Sequence, residues 1–282
     1  MKGKPEYLLI MLGAAATLGF SVWQALLNNF VIDAAAFTGR EIGILQSLRE
    51  VPGFLAFTTV FVLLVLREQT FALIAVALLG LGVALTGLLP TEYGLYFTTV
   101  LMSTGFHYFY TVQQSLTLQW IEMERTPVVM GQISSASSMA ALVAFATVWA
   151  GMEYLGFGYR GLYLAAGGAV VVLAVVAAFL FPRYPQKVAQ RKHLLMRRRY
   201  WLYYALTFLI VGRRQIFVVF AGFLMVEKFG LSAANIALLF LVNHVNNAWA
   251  APRIGRLIAR FGERRMLTIE YIGLVLIFTG YA

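Results

Sequence analysis

Long apolar runs follow one another along almost the whole chain and are separated by short polar segments. A helix needs about 20 consecutive apolar residues to cross the hydrocarbon core of a bilayer. The runs are continuous rather than alternating, which favours helices over the strands of a β-barrel. The pattern predicts an all-α integral membrane protein, a helical bundle of eight complete transmembrane helices plus the start of a ninth. The predicted spans are 7–32, 42–66, 71–90, 94–119, 129–152, 159–181, 201–226, 233–252 and 267–282.

Composition supports this prediction. Of the 282 residues, 61% are hydrophobic and only 12% are charged. A soluble domain carries about 25% charged residues, so this chain has too few to cover a water-facing surface. The chain has no cysteine, which excludes disulfides, thiolate metal sites and thiol nucleophiles.

The N-terminal residues share some features with a secretory signal. Lys2 and Lys4 precede an apolar stretch that leads into three alanines at 14–16. The apolar part of a signal is about 7–15 residues long, whereas here the apolar character continues to Ile32. An uncleaved first helix is therefore the favoured interpretation, with a cleaved signal as the alternative.

The distribution of basic residues predicts the orientation. Sixteen of the 22 Lys and Arg residues lie on the side of the N-terminus, seven of them in the segment 182–200. Only Arg40, Arg160 and Lys228 lie on the opposite side. Because cytoplasmic loops are enriched in Lys and Arg, we expect a multi-pass protein of the inner (plasma) membrane with a cytoplasmic N-terminus. The net charge of +10 then reflects the lipid bilayer as partner and requires no nucleic acid.

The segment 182–200 also divides the chain. An offset of 194 residues aligns 38–45 with 232–239, and each stretch has a hydroxyl N-cap followed by an apolar run. We predict an N-terminal six-helix half at 1–181, a basic cytoplasmic loop at 182–200, and a partial C-terminal half at 201–282 that contains helices seven, eight and part of nine.

Polarity differs between the spans. Span three, at 71–90, and the part of span six from Leu162 to Phe181 carry no charged residue and almost no polar one, whereas the other complete spans carry Gln, Asn, His, Ser, Arg or Glu. Polar groups within a membrane face protein or a water-filled cavity. We therefore expect spans three and six to face lipid and the others to surround a wet interior.

The stretch 252–265 is similar to the cytoplasmic signature G-x-L-x-D-R-x-G-R-R of the major facilitator superfamily. Ala259 stands where that family has Asp, and the equivalent first-half loop, 67–70, lacks the motif. The residues of 252–265 that match the signature are Gly255, Leu257, Arg260, Gly262 and Arg264. In span two, the sequence EIGILQSLREVPGFLAF also resembles the second helix of bacterial members whose substrate is unassigned.

The resemblance implies a bundle of the major facilitator type, with twelve helices and with the first, fourth, seventh and tenth helices lining a central cavity. It also implies that Gly255, Arg260, Gly262 and Arg264 act in gating. The chain ends at Ala282 inside an apolar run, so we expect a C-terminally truncated fragment that lacks three helices and most of a fourth. A natural eight- or nine-helix protein is the alternative.

Arg213 and Arg214 lie near the middle of span seven. A charge at the bilayer centre costs roughly 2.5–3.5 kcal/mol, so both side chains need partners. Together with Arg49 they face one deep acid, Glu50, although Asp33 near the outer end of span one could offset part of the excess. One hypothesis is that one arginine binds an anionic substrate. A structural ion pair within the bundle is the alternative.

Span two carries Gln46, Arg49, Glu50 and Gly53 on one helical face, and Pro52 loosens the helix there. Glu50 beside Arg49 could couple transport to protons, or the two residues could form a fixed ion pair that bridges spans.

Three other spans carry polar groups on one face. They form either the wall of a substrate site or hydrogen bonds between helices, worth about 0.6 kcal/mol each. The residues are Gln24 and Asn28 in span one, His107, Tyr110, Thr111 and Gln114 in span four, and Asn243, His244 and Asn247 in span eight.

The sequence contains no metalloprotease, nucleophile-elbow or phosphate-loop motif, so we predict neither an enzyme nor a cofactor. The leading hypothesis is a monomeric secondary transporter of a small organic anion that works by alternating access. Arg49, Glu50 and His244 are the candidates for proton coupling. Efflux of amphipathic cations and a membrane receptor or scaffold that moves no substrate remain the alternatives.

Overall fold

The computed structural model describes residues 4–185, 198–202, 205 and 221–281, without the side chains of 127, 247–259, 263, 278 and 281. Helices and their connections account for all of the described residues. The chain forms two compact units, Met1–Leu238 and Leu239–Ala282.

Helices lie at the predicted spans in the described part of the chain, except that predicted span two is divided and the helix of span eight extends nine residues beyond its predicted end. Most of span seven lies outside the described residues. At its C-terminal end the structure describes residues 221–227, which are helical. The 3₁₀ turns are Leu55–Thr58 and Arg198–Tyr200. The α-helices are α1 (Pro5–Ala35), α2 (Gly39–Phe54), α3 (Thr59–Val62), α4 (Glu68–Thr86), α5 (Glu92–Trp120), α6 (Thr126–Glu153), α7 (Tyr159–Leu180), α8 (Ala233–Phe261) and α9 (Glu263–Tyr281).

The two helix starts that the sequence aligned are both capped as predicted. Thr38 forms a capping box with Glu41, in which the Thr38 backbone amide donates to the carboxylate at 3.0 Å. Ser232 accepts a hydrogen bond from the backbone amide of Asn235 at 3.2 Å. Each cap satisfies a backbone donor that the first helical turn leaves unpaired.

Predicted span two is divided rather than continuous. The helix α2 ends at Phe54, two residues after Pro52, and a 3₁₀ turn leads into the short α3. Proline cannot donate to the preceding turn, which weakens the helix at this position. The Leu55 carbonyl in the turn accepts hydrogen bonds from the hydroxyls of Thr58 at 2.7 Å and Tyr108 at 3.2 Å. Side chains therefore satisfy the backbone where the helix is interrupted.

In the first unit α1 is the central helix and packs against α4, α5, α6 and α7, while α4 also packs closely against α5 and α7. Glycines permit these close approaches. A methyl group at Gly82 would collide with the backbone of Met102, and one at Gly105 would collide with the backbone of α4. Small residues of this kind allow membrane helices to approach through their backbones.

By length and composition, four helices in the described part of the chain could cross a membrane: Pro5–Ala35, Glu68–Thr86, Val128–Glu153 and Tyr159–Leu180. The helix α5 is long enough as well, but its His, Gln and Thr residues make it more polar. In the middle of α4 and α7, the exposed side chains include Ile74, Leu81 and Val172, which suit a surface in contact with lipid.

Gly167→Ala is expected to destabilise the first unit. Its new methyl group would collide with the Gly80 carbonyl and the Ala84 amide of α4, and overpacking of this kind costs typically about 1–3 kcal/mol. Gly168→Ala is the matched control on the same helix, because its methyl group would meet nothing within 4 Å. The control should gain up to about 1 kcal/mol from helix propensity. Thermal unfolding of the purified protein measures both effects, and equal melting temperatures would contradict the close approach of α4 and α7.

Candidate functional site

The polar face of α2 holds an ion pair between neighbouring residues. The Nη2 and Nε atoms of Arg49 donate to Oε1 of Glu50 at 2.7 and 3.0 Å. Arg49 is 9% exposed, whereas the side chain of Glu50 retains 39% of its accessible surface. The hydroxyl of Ser103 on α5 donates to the Arg49 carbonyl. The arginine is thus enclosed, and its carboxylate partner stays accessible.

His107 of α5 lies directly on Gly53 of α2. A methyl group built on Gly53 would come within 2.8 Å of Cε1 of the imidazole. The ring therefore occupies the space that the missing side chain leaves, one turn after the Arg49–Glu50 pair. The structure brings together four of the residues that the sequence singled out on spans two and four. They are Arg49, Glu50, Gly53 and His107.

The neighbouring helices α1 and α5 carry the other predicted site residues of the first unit. Gln24 and Asn28 of α1 are partly exposed, and Gln114 of α5 is exposed. The Tyr110 hydroxyl shares a hydrogen bond of 3.1 Å with the hydroxyl of Thr17. The side-chain amides of Gln24, Asn28 and Gln114 make no hydrogen bond to any other residue in the described part of the chain. The Asn28 amide lies against Gly222, where an added methyl group would come within 2.9 Å of its Nδ2 atom.

Two polar contacts near the C-terminal end of α1 were not predicted from the sequence. Nδ2 of Asn29 donates to the backbone carbonyl of Leu231 at 2.7 Å, which ties α1 to the segment before α8. The Tyr159 hydroxyl donates to Oδ2 of Asp33 at 2.7 Å. The doublet Asn28-Asn29 in an apolar run was the available signal for the first contact.

A buried carboxylate at the start of α4 was also missed. Glu68 is 2% exposed, and it accepts hydrogen bonds from Nε2 of Gln119 at 2.6 Å and from the hydroxyl of Ser115 at 3.2 Å. The adjacent Gln69 donates to the Pro182 carbonyl at 3.0 Å and accepts from the Tyr184 amide at 2.9 Å. These bonds fasten α4 to the end of α5 and to the segment after α7.

The second unit holds the remaining described candidates. Asn243 is exposed, and Nδ1 of the half-buried His244 lies 2.9 Å from the carbonyl of Phe240, one turn earlier on the same helix. The helix α8 includes residues 252–261 of the signature stretch and so extends beyond the predicted end of span eight at 252.

The signature residues lie in the last turns of α8, at Gly262 and in the first turn of α9. Gly255 lies within α8, and Gly262 separates α8 from α9 with a φ of 82°, a conformation that favours glycine. The Arg260 guanidinium lies 5.3 Å from the centre of the Phe261 ring. Arg264 is exposed in the first turn of α9, where its carbonyl accepts from the Thr268 hydroxyl at 2.8 Å. Arg213, Arg214 and the side chains of Asn247 and Gly255 lie outside the described residues.

The family model described as "Major Facilitator Superfamily" matches residues 7–282. Comparison with curated proteins gave no match. The crystal structure of the nucleoside transporter NupG is similar in fold, with 15% identity and a TM-score of 0.68, and the alignment covers 92% of this chain and 69% of that one.

A second solved structure is a bacterial homologue of the human lysosomal transporter Spinster in an inward-facing and occupied conformation. It is 14% identical with a TM-score of 0.64, and the alignment covers 92% of this chain and 62% of that one. At these identities the likeness concerns the fold. The coverage of the two alignments means that the chain spans about two thirds of the length of these transporters.

Gly53→Ala should destabilise the first unit by about 1–3 kcal/mol, because the methyl group overpacks the His107 ring. The same change in a His107→Ala background should cost nothing, since the space is then open. Gly43→Ala on α2 is the matched control, as its methyl group would meet nothing within 4 Å. A double-mutant cycle on unfolding free energies measures the coupling. Additive effects would show that the ring does not lie on Gly53.

Proposed function

Because the chain belongs to the major facilitator superfamily, we propose that it moves a small organic anion across the membrane by alternating access. Family membership confirms the resemblance carried by residues 252–265. It makes the chain a multi-pass, α-helical membrane protein and a secondary transporter rather than an enzyme.

The balance of charge supports an anionic substrate. Arg49 and Glu50 neutralise one another at 2.7 Å. Asp33 is exposed near the C-terminal end of α1 and accepts a hydrogen bond from the Tyr159 hydroxyl. Among the groups expected at depth, Arg49, Arg213 and Arg214 carry three positive charges and Glu50 carries one negative charge, which leaves an excess of two positive charges. A carboxylate or phosphate on the substrate would supply the bidentate partner that arginine prefers.

In this proposal one of the span-seven arginines holds the anionic group near the bilayer midplane. Gln24, Asn28, His107, Gln114 and Asn243 shape the rest of the site through hydrogen bonds. Gly255, Arg260, Gly262 and Arg264 act where α8 meets α9, as part of the cytoplasmic gate. The two halves rock around the site, so that it opens to one side of the membrane at a time.

Proton coupling is assigned to Glu50, with His244 as a second titratable group. The Glu50 side chain is accessible while its partner Arg49 is enclosed. Protonation of Glu50 would remove the charge that neutralises Arg49 and leave the buried guanidinium without compensation, which is costly in a low dielectric. A proton can thereby bias the equilibrium between two arrangements of α2, whose interruption at Leu55–Thr58 lies close by.

The proposal also includes the topology. The N-terminus and the 182–200 loop lie on the cytoplasmic side of an inner (plasma) membrane, residues 1–282 form eight complete spans and part of a ninth, and the protein is a monomer. The two halves are 1–181 and 201–282. The concentration of Lys and Arg on one side supports the orientation.

A second candidate is efflux of amphipathic cations. The accessible carboxylate of Glu50 is the observation that favours it, since this group could bind a cation directly. Uptake of a cation should then survive loss of the span-seven arginines. The likeness to NupG, a nucleoside transporter, is the reason to include nucleosides among the compounds tested.

Ligand-induced stabilisation tests the anion proposal. We expect benzoate or lactate to raise the melting temperature of the full-length protein, and tetraphenylphosphonium, uridine and ribose to leave it unchanged. A ligand at 100 times its dissociation constant stabilises by about 2.7 kcal/mol. Arg213→Ala or Arg214→Ala should abolish the shift, whereas Arg160→Ala, at an exposed position, should keep it. Stabilisation by the cation alone, unaffected by the arginine variants, would replace the anion proposal with efflux.

Flux measurements in liposomes test the coupling. Glu50→Gln should reduce accumulation driven by a pH gradient to the level of protein-free vesicles and should retain exchange of labelled for unlabelled substrate. The reason is that exchange needs alternating access but no net proton movement. Glu92→Gln is the control, because Glu92 lies exposed at the start of α5. If Glu50→Gln accumulates substrate at the rate of the unmodified protein, Glu50 takes no part in the coupling step. If the unmodified protein itself shows no flux, a receptor or scaffold is favoured.

A further inference from the structure

Aromatic rings and amides line one continuous stripe on α1 and α5. On α1 the residues Phe20, Gln24 and Asn28 follow one another at intervals of four, and on α5 the residues Phe106, Tyr110 and Gln114 do the same. Residues four apart lie on the same face of a helix. We call these six residues the ring stripe.

The two halves of the ring stripe meet at their aromatic ends. Residue numbers rise along α1 while the numbers of their contacts on α5 fall. Gln113 donates to the Leu9 carbonyl at 3.0 Å, and the Tyr110 hydroxyl shares a hydrogen bond with Thr17. The rings of Phe20 and Phe106 then meet with their centres 4.4 Å apart. The helices are therefore antiparallel, and the stripe has rings in its middle and an amide toward each end.

The rings are held in place. Phe20 stacks on Trp23, which is wholly buried, with ring centres 6.0 Å apart. The centre of the Tyr110 ring lies 4.7 Å from that of Phe106, and its hydroxyl bonds to Thr17. A ligand would thus find these rings already oriented, which reduces the entropy lost on binding.

The ring stripe differs both from a closed helix contact and from a lipid-facing surface. Phe20, Phe106 and Tyr110 keep part of their surface uncovered, whereas Phe109 on the neighbouring face of α5 is completely buried. Gln24 and Gln114 make no hydrogen bond within the described residues. Unpaired amides are costly against hydrocarbon, so this face requires a polar environment or a ligand.

We propose that the ring stripe binds a planar unsaturated ring of the transported substrate. The ring lies against Phe106 and Tyr110, and polar atoms on its edge bond to the amides of Gln24 or Gln114. Offset-stacked and edge-to-face contacts favour a flat ring over a saturated one of equal size. This inference rests on the proposed transport function, and it adds a substrate feature that is independent of charge.

Four probes separate ring recognition from anion recognition. Benzoate and benzamide carry a planar ring, with and without charge, and cyclohexanecarboxylate and cyclohexanecarboxamide are their saturated counterparts. We expect benzoate to bind the full-length protein about three- to tenfold more tightly than cyclohexanecarboxylate, as measured by calorimetry or quenching of tryptophan fluorescence. Equal binding of the two acids, with weak binding of both amides, would overturn the ring stripe and leave the anion proposal intact. Tight binding of benzoate and benzamide alike would retain the ring stripe and remove the anion proposal.

Variants locate the effect. Phe106→Leu should remove the preference for benzoate over cyclohexanecarboxylate while it preserves an apolar side chain at that position. Phe97→Leu is the matched control, because Phe97 lies on the same helix and is 58% exposed outside the stripe. A preference that persists in Phe106→Leu, or that falls equally in both variants, would overturn the assignment. Failure of both planar probes to bind at their solubility limits would do the same.

Discussion

The structure depends above all on one constraint: a polar group inside a bilayer finds no water to bond. Where α2 is interrupted, the hydroxyls of Thr58 and Tyr108 bond to the freed Leu55 carbonyl. Where a charge lies at depth, Arg49 pairs with the residue next to it. The same constraint bears on the amides of Gln24 and Gln114, which make no hydrogen bond among the described residues and keep part of their surface exposed.

The helices of the first unit divide into a tightly packed part and an interrupted part. Glycines bring the backbones of α4, α5 and α7 so close that a single methyl group would collide, and interiors packed in this way change arrangement in discrete steps rather than by gradual deformation. By contrast, α2 contains a proline and a 3₁₀ turn beside its ion pair. Movement during transport is therefore more easily accommodated at α2, next to the accessible carboxylate, than within the α4–α7 layer.

Sequence periodicity predicted the helices and several local details because these depend on neighbouring residues. Thr38 and Ser232 are caps, and Pro52 marks the weakened turn, all from signals within a few positions. The contact of Phe20 with Phe106 is different in kind. A phenylalanine in an apolar span has the same local pattern whether it lies on the exposed surface, as Phe97 does, or against another ring. Glu68 was missed for a related reason, since a charge at a helix end is also typical of a residue that only marks the membrane boundary.

Charge and shape recognition act on different parts of a substrate, which has a consequence for specificity. An arginine alone accepts any small carboxylate and discriminates poorly between metabolites of similar charge. A rigid group of rings discriminates by planarity and is indifferent to charge. A compound that satisfies both must carry an anionic group and a flat ring at a fixed separation, because the ring stripe belongs to α1 and α5 and the arginines belong to span seven. In the proposed mechanism, specificity for such a molecule follows from the distance between the two features, and movement of the proposed halves would change this distance.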